Sequence, residues 1–243
     1  ACTFCSIPMM RGKFRSRSVE SIVAEVERLA AQGVREISLI AQDSTNYGTD
    51  LYGKFMLPTL LNRVSEVPGV VWVRLHYAYP GFFTDELLET IADNPKICKY
   101  VDMPLQHSED RILRLMRRPG RQRDIRALIE KIRDRMPDAA LRTSIIVGFP
   151  GETEQDFDNL CRFIEEIQFD KLGVFTYSME EGTPAARLPD QVPEDVKEWR
   201  AATLMELQRT ISAERNARRI GQELDVLIER YDGRNDVYVG RSQ

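Results

Sequence analysis

Five short apolar runs alternate along the chain with segments in which apolar residues recur every three or four positions. The runs lie at residues 36–41, 70–75, 100–103, 141–147 and 171–177. Helical segments of about 10 to 15 residues separate them, and Ser18, Thr84 and Thr153 stand where helix N-caps are expected. The alternation predicts an α/β fold, because a strand can run parallel to its predecessor only after a crossover connection.

Polar residues follow the end of each predicted strand. They lie at Gln42 and Asp43, His76, Gln106 and His107, Gly148–Glu152 and Glu180–Thr183. The carboxyl ends of parallel strands share one face of the fold, and α/β enzymes build their sites on that face. We therefore expect these residues to converge on one site with Cys2 and Cys5, which begin the chain.

The last part of the chain changes its pattern. A long helix is predicted over 193–220, and Gly221 ends it. Residues 223–230 and 236–240 then alternate as short strands do, with too few residues to complete a domain. The predicted division is a core of residues 1–220 and the start of a small all-β domain at 221–243.

Composition limits the classes of protein and the compartment. The 243 residues are 42% hydrophobic and 30% charged, and no apolar run approaches the roughly 20 residues that span a bilayer. A net charge of −4 argues against binding nucleic acid through overall charge, although a local basic patch remains compatible with it. Four cysteines are too few for a disulfide scaffold, and we expect a reducing, cytoplasmic compartment. Cys98 and Cys161 lie in apolar contexts and are interpreted as small buried hydrophobic residues.

Cys2 and Cys5 form a C-x-x-C pair, which is weakly specific by itself. Thiolates at this spacing hold iron–sulfur clusters, zinc or a redox disulfide. A zinc ribbon would need a second pair, which Cys98 and Cys161 do not form. A thioredoxin-like motif would open a helix directly, whereas Pro8 and a basic loop follow here. Spacing alone leaves the cluster, zinc and redox hypotheses open.

Longer motifs surround the cysteines and the strand ends. They read C-T-F-C-S-I-P at 2–8, Q-D at 42–43 with Y-G at 47–48, M-P-L-Q-H-S at 103–108, R-T-S-I-I-V-G-F-P-G-E-T at 142–153, and Y-S at 177–178 with G-T-P-A at 182–185. Together they resemble the radical S-adenosylmethionine (SAM) enzymes, in particular the methylthiotransferases, over essentially the whole chain. The resemblance implies a partial (β/α)6 barrel whose first strand precedes Ala1, followed by the start of a TRAM domain.

The resemblance also implies the cofactors. Cys2 and Cys5 match the second and third cysteines of the family's C-x-x-x-C-x-x-C loop, so they are expected to ligate a 4Fe–4S cluster whose first cysteine lies three residues before Ala1. In the family, the amino and carboxyl groups of SAM chelate the open iron of that cluster. An electron from the cluster then cleaves SAM to a 5′-deoxyadenosyl radical. The family takes sulfur from an auxiliary 4Fe–4S cluster on an N-terminal domain, and electrons from a donor such as a flavodoxin or ferredoxin. Without these parts the chain is expected to be inactive.

Beyond the two cysteines, the resemblance implies residues that bind SAM, and it assigns no catalytic side chain. The cofactor-binding set is Phe4, Gln42, Asp43, Gln106, His107, Arg118, Ser144 and Gly148. Ser144 replaces the aspartate that is usual in the family. Structural interpretations stand beside these roles, because Gly148 could serve only a tight turn and Gln106 and His107 could satisfy buried backbone groups. His76 is weighed evenly between a structural and a site role.

Two branches of the family differ in substrate. One modifies an adenosine in tRNA and typically carries Y-S-x-R-x-G-T-x-A, whereas the other adds a methylthio group to the β-carbon of an aspartate in the twelfth small-subunit ribosomal protein. Here Glu180 stands where that motif has its arginine, and Glu181 follows it. Carboxylates at these positions repel phosphate and suit a basic protein. We therefore expect the aspartate enzyme, with Glu180 and Glu181 binding the substrate and the TRAM part contacting RNA. The alternatives are the tRNA enzyme and a non-catalytic β/α module with a zinc or redox C-x-x-C.

Overall fold

The structure is a computed structural model that describes residues 2–243. It contains five parallel strands: β1 (Glu36–Leu39), β2 (Trp72–Leu75), β3 (Tyr100–Asp102), β4 (Ala140–Val147) and β5 (Lys171–Thr176). β1 pairs with β2, and β4 lies between β3 and β5. A parallel bridge between Val73 and Ile97 joins the two groups, so that neighbours in sequence are neighbours in space. The predicted α/β architecture is confirmed; the first strand and first cysteine implied by the resemblance lie outside the described residues.

Helices connect the strands as the apolar repeat predicts. They are α1 (Ile7–Arg11), α2 (Val19–Ala31), α3 (Thr49–Tyr52), α4 (Leu57–Ser65), α5 (Asp85–Asp93), α6 (Asp110–Leu115), α7 (Gln122–Arg135), α8 (Glu154–Ile167) and α9 (Glu194–Ala217). All three predicted N-caps form: the side chains of Ser18, Thr84 and Thr153 accept hydrogen bonds from backbone N–H groups of the first helical turn. The sequence did not predict α1 and α3, because helices of four or five residues are too short to show a repeat.

The alternation along β4 shows how the sheet separates core from cavity. Leu141, Ile145 and Val147 are buried against the helices, whereas Arg142 and Ser144 face the opposite side and line a cavity. Successive residues of a strand point to opposite faces, so one strand serves both the core and a polar wall.

The two cysteines outside the N-terminal pair belong to the packing of the core. Cys98 is buried, and Cys161 is half-buried against the main apolar cluster. Burial raises the pKa of each thiol to about 11. Both therefore stay protonated at neutral pH, as expected for small apolar residues and not for metal ligands.

The tail forms an antiparallel pair, β6 (Leu227–Asp232) with β7 (Val237–Arg241), which fits the predicted start of a small β domain. It also contacts the first strands: Arg241 donates to the carboxylate of Glu36 at 2.9 Å, and Arg74 donates to the carbonyl of Ser242 at 3.1 Å. No helix within residues 2–243 is long and apolar enough to cross a membrane.

Candidate active site

One cavity of about 740 Å³ lies at the carboxyl ends of the parallel strands. Nine of the twelve residues predicted for the site line it: Cys2, Phe4, Cys5, Gln42, Asp43, Gln106, Arg118, Ser144 and Glu180. His107, Gly148 and Glu181 do not line it. The strand-end motifs thus converge on one face, as parallel topology requires.

Thr3 anchors the cysteine loop. Its backbone N–H donates to the carbonyl of Met116 at 3.0 Å, and its buried hydroxyl donates to the carbonyl of Leu115 at 2.8 Å. Its own carbonyl accepts from the backbone N–H of Ala185 at 3.0 Å. These three bonds tie the loop to the end of α6 and to the segment after β5. The side chains on either side of Thr3 are thereby held at the cavity wall.

An aromatic stack supports the loop from behind. Phe4 meets Phe149 edge to face at a centroid distance of 6.3 Å, and Phe149 meets Tyr177 in the same way at 5.3 Å. Phe149 is fully buried, so the stack links the cysteine loop to the ends of β4 and β5. Edge-to-face pairs contribute about 0.5–1.5 kcal/mol beyond their buried area. The position of Phe4 at the cavity is therefore well determined.

The cysteines suit a cluster loop that is completed by a further ligand. Cys2 and Cys5 are both half-buried at the same wall, and Nη1 of Arg118 lies 3.6 Å from Sγ of Cys2. Within residues 2–243 no three His, Cys, Asp or Glu side chains come together as a metal site. Cys2 and Cys5 thus lie together at the cavity wall, and their role as cluster ligands stays a prediction.

Arg118 joins the end of β3 to the cysteine loop. Its Nε donates to the carbonyl of Leu105 at 3.2 Å, and Nη2 donates to the carbonyl of Pro104. The guanidinium also stacks on the ring of Tyr79, with 4.8 Å between Cζ and the ring centroid. Most of its donors are used within the protein. A contact from Arg118 to SAM stays a prediction, whereas its support of the wall around Cys2 is visible.

Part of the cavity wall has strained backbone. Three non-glycine residues that line it, Tyr77, Gln106 and Arg117, have φ angles of 58°, 76° and 51°. A left-handed conformation costs such residues about 1–3 kcal/mol and persists where surrounding contacts impose it. For Gln106 those contacts are two 2.8 Å backbone bonds, one to the carbonyl of Ser144 and one from the N–H of Ile146. In this conformation Gln106, one of the predicted site residues, lines the cavity wall.

His107 and Gly148 meet at a buried carboxylate behind the wall. The carboxylate of Glu152 accepts hydrogen bonds from the N–H of Gly148 at 2.9 Å and from Nη1 of Arg200 at 2.8 Å. Nε2 of the fully buried His107 lies 3.6 Å from the same carboxylate. The sequence analysis placed Glu152 among the strand-end residues expected at the site but assigned it no role. It missed Arg200 because nothing in the pattern of a long helix marks one arginine as buried.

Gly148 is required by packing against α9. A Cβ on Gly148 would overlap Cγ of Lys197 and lie 3.1 Å from two further carbons of that side chain. The φ of 72° is a second constraint, since only glycine adopts this conformation without strain. The tight turn and the packing thus account for Gly148, and Nδ1 of His107 accepts a hydrogen bond from the backbone N–H of Glu109 at 3.0 Å, as the structural alternatives expect. A contact of either residue with SAM stays a prediction.

The acidic segment after β5 reaches the cavity with one of its two carboxylates. Glu180 lines the wall, and its carboxylate accepts from the hydroxyl of Ser178 at 3.0 Å. The backbone carbonyl of Glu180 accepts from the hydroxyl of Thr183 at 2.7 Å, which closes the turn. Glu181 is exposed and does not line the cavity. The pair of carboxylates thus marks the rim and not the depth of the cavity.

Comparisons with known proteins agree with this geometry. The family described as the Radical SAM superfamily matches residues 1–164. "Ribosomal protein uS12 methylthiotransferase RimO" of Desulforamulus reducens is 53% identical over 242 residues, which cover 99% of this chain and 54% of that protein. The protein of the same name from Geobacter sulfurreducens is 52% identical over 99% of this chain and 54% of its own length. The chain thus spans about half the length of these relatives.

Solved structures share the fold at low identity. Coproporphyrinogen III oxidase (HemN) from Escherichia coli, described as a radical SAM enzyme, gives a TM-score of 0.62 at 17% identity, covering 87% of this chain and 50% of that one. Streptococcus suis SuiB bound to S-adenosylmethionine gives 0.56 at 16% identity over 89% of this chain and 45% of its own. These similarities support the architecture of the barrel.

Proposed function

The chain belongs to the radical SAM superfamily, and we propose that it carries the core of a methylthiotransferase that modifies an aspartate of ribosomal protein uS12 at its β-carbon. The observation that carries this proposal is identity of about 50% to enzymes of that name along the whole chain. The cavity adds physical support, because it gathers the cysteines and the strand-end motifs on one wall. Glu180 at the rim favours a basic protein over a tRNA phosphate.

The superfamily uses a 4Fe–4S cluster and SAM, and we propose that Cys2 and Cys5 ligate that cluster together with an upstream cysteine. When bound, the cluster supplies the electron that cleaves SAM to the radical which removes a hydrogen atom from the substrate. The residues of this chain hold the cysteine loop and orient it at the cavity wall. Thr3 fixes the cysteine loop, Phe4 closes the wall beside it, and Nη1 of Arg118 lies 3.6 Å from Sγ of Cys2.

The remaining proposals concern partners. Sulfur would come from an auxiliary 4Fe–4S cluster on a domain N-terminal to the core, and electrons from a flavodoxin or ferredoxin. The segment after the cysteine loop suits an acidic donor, because Arg11, Lys13 and Arg15 are all exposed. Residues 221–243 would begin a separate TRAM domain that contacts RNA. The enzyme would act in the cytoplasm, where ribosomes are assembled.

The test is anaerobic reconstitution of the full-length protein followed by assays on two substrates. With SAM and a reductant, a uS12 peptide should gain one methylthio group in place of one hydrogen atom, detected by mass spectrometry. Cys2→Ala and Cys5→Ala should lose iron and SAM cleavage while the thermal unfolding midpoint stays within a few degrees. Methylthiolated tRNA adenosine with unmodified peptide would reject the aspartate assignment. A colourless protein with stoichiometric zinc would reject the radical mechanism.

A further inference from the structure

One arginine of the cavity wall has no role in the cluster and SAM contacts described above. Arg142 lies on β4, two residues before Ser144, and its side chain is 32% exposed. A parallel strand rises about 3.3 Å per residue, so the backbone of Arg142 lies about 7 Å further from the strand end than that of Ser144. Arg142 therefore lines a deep part of the cavity, remote from the cysteine loop at the strand ends.

A buried carboxylate positions this arginine. Asp102 pairs with Arg142 in the register of β3 and β4, and Nη1 of Arg142 donates to Oδ1 of Asp102 at 2.7 Å. The other carboxylate oxygen lies 3.3 Å from Nδ1 of His76, and the Asp102 side chain is 1% exposed. Within residues 2–243, Nε and Nη2 of Arg142 have no hydrogen-bond acceptor. The guanidinium is thus held by one nitrogen and keeps its other donors available.

The side chain of Arg142 stays positively charged. Partial burial by itself would lower the pKa of the guanidinium, but the hydrogen bond and the negative charge of Asp102 outweigh it and raise the pKa above its usual value. Tyr77, Ile146 and Phe175 share the cavity wall with it, so a ligand there is partly shielded from water. A planar guanidinium with free donors in such surroundings matches a carboxylate.

We propose that Arg142, held in place by Asp102, binds the side-chain carboxylate of the substrate aspartate. This inference rests on the proposed function. The β-carbon is bonded directly to that carboxylate, so an ion pair at Arg142 fixes the depth at which the reacting carbon sits. SAM is the second source of a carboxylate, but the family holds that group at the cluster iron, beside Cys2 and Cys5. The deeper position of Arg142 therefore favours the substrate.

The test measures binding and not turnover. The reconstituted full-length protein is kept oxidised with SAM bound, and fluorescence anisotropy gives its affinity for a uS12 loop peptide and for the same peptide with the target Asp replaced by Asn. Arg142→Gln should weaken binding of the Asp peptide about 10- to 100-fold, the range of a hydrogen bond to a charged group. Binding of the Asn peptide and of SAM should change less than threefold. The control is Arg123→Gln, which removes a guanidinium that is 75% exposed.

A variant that keeps the positive charge controls for misfolding as a cause of weaker binding. Arg142→Gln leaves Asp102 buried without its main partner, so its unfolding midpoint is measured beside Arg142→Lys, which retains a cation. The lysine variant should bind the Asp peptide with an intermediate affinity, because it loses the planar fork and not the charge.

Three results overturn the inference: equal weakening of both peptides by Arg142→Gln, weakened SAM binding with normal peptide binding, or no change in either. Failure of the proposed function looks different. There the unsubstituted protein methylthiolates tRNA and leaves the Asp peptide unmodified. If the unsubstituted protein modifies the peptide and Arg142→Gln still binds it normally, only the assignment of Arg142 fails.

Discussion

Replacing Gly148 by alanine tests the close packing between the turn after β4 and α9. The substitution imposes two separate costs. The positive φ of 72° costs a residue with a Cβ about 1–2 kcal/mol. The new methyl also overlaps the side chain of Lys197, whose Nζ donates to the carbonyl of Tyr177 at 3.1 Å. Displacing that ammonium loses a charged hydrogen bond in a buried setting, about 1.5–3 kcal/mol. The expected destabilisation is therefore about 2.5–5 kcal/mol.

The matched control is Gly33→Ala. Gly33 also has a positive φ, 91°, but an added Cβ meets nothing within 4 Å. Gly33→Ala should lower the free energy of unfolding only by the cost of the positive φ, about 1–2 kcal/mol. Both variants are measured by urea denaturation followed by circular dichroism, and the difference between their midpoints isolates the steric part. Lys197→Ala should remove much of that difference in a double-mutant cycle. Equal destabilisation by the two glycine substitutions would refute the packing argument.

Three further predictions concern other contacts. Burial by itself would raise the pKa of Asp156, but Arg111 and the helix cap outweigh it and lower the pKa. The stabilisation is therefore present above pH about 4 and is lost as pH falls through the lowered value. Asp156→Asn should cost about 1–2 kcal/mol at pH 7 and progressively less below pH 4, measured by urea denaturation at each pH; a pH-independent cost would contradict this. Iodoacetamide at pH 8 should label the two cavity cysteines well before Cys98, whose pKa is raised to about 11; equal rates by mass spectrometry would exclude its burial. Glu180→Arg should weaken uS12 peptide binding at low salt several-fold more than Glu181→Arg, since only Glu180 lines the cavity; equal effects in anisotropy titrations would remove its substrate role.

Much of the fold could be predicted because its signals are local. The strand runs, the helix repeats and the caps at Ser18, Thr84 and Thr153 each depend on residues within one or two turns of one another. The convergence of strand-end motifs follows from parallel topology alone. Helices α1 and α3 could not be predicted, because they are too short to show a periodic apolar pattern.

Local signals do not predict whether an individual residue faces the cavity or the buried side of its wall. Asp102 and Arg142 were not predicted as site residues, because their pairing depends on the register between β3 and β4, about 40 residues apart in the chain. His107 follows Gln106 directly, yet one lies at the wall and the other is fully buried. Adjacent residues at a strand end point to opposite sides, and a motif does not say which side is open.

The class of the fold, the order of the strands and longer helices, and the family of the chain all follow from local patterns and motifs in the sequence. Which motif residues form the cavity wall, and which pack against it from the opposite side, depends on tertiary packing. The packing residues come from segments that are distant in the chain. Arg200 and Lys197 on α9 complete the environment of Glu152 and Gly148, and no local pattern encodes the packing of that helix against the turn.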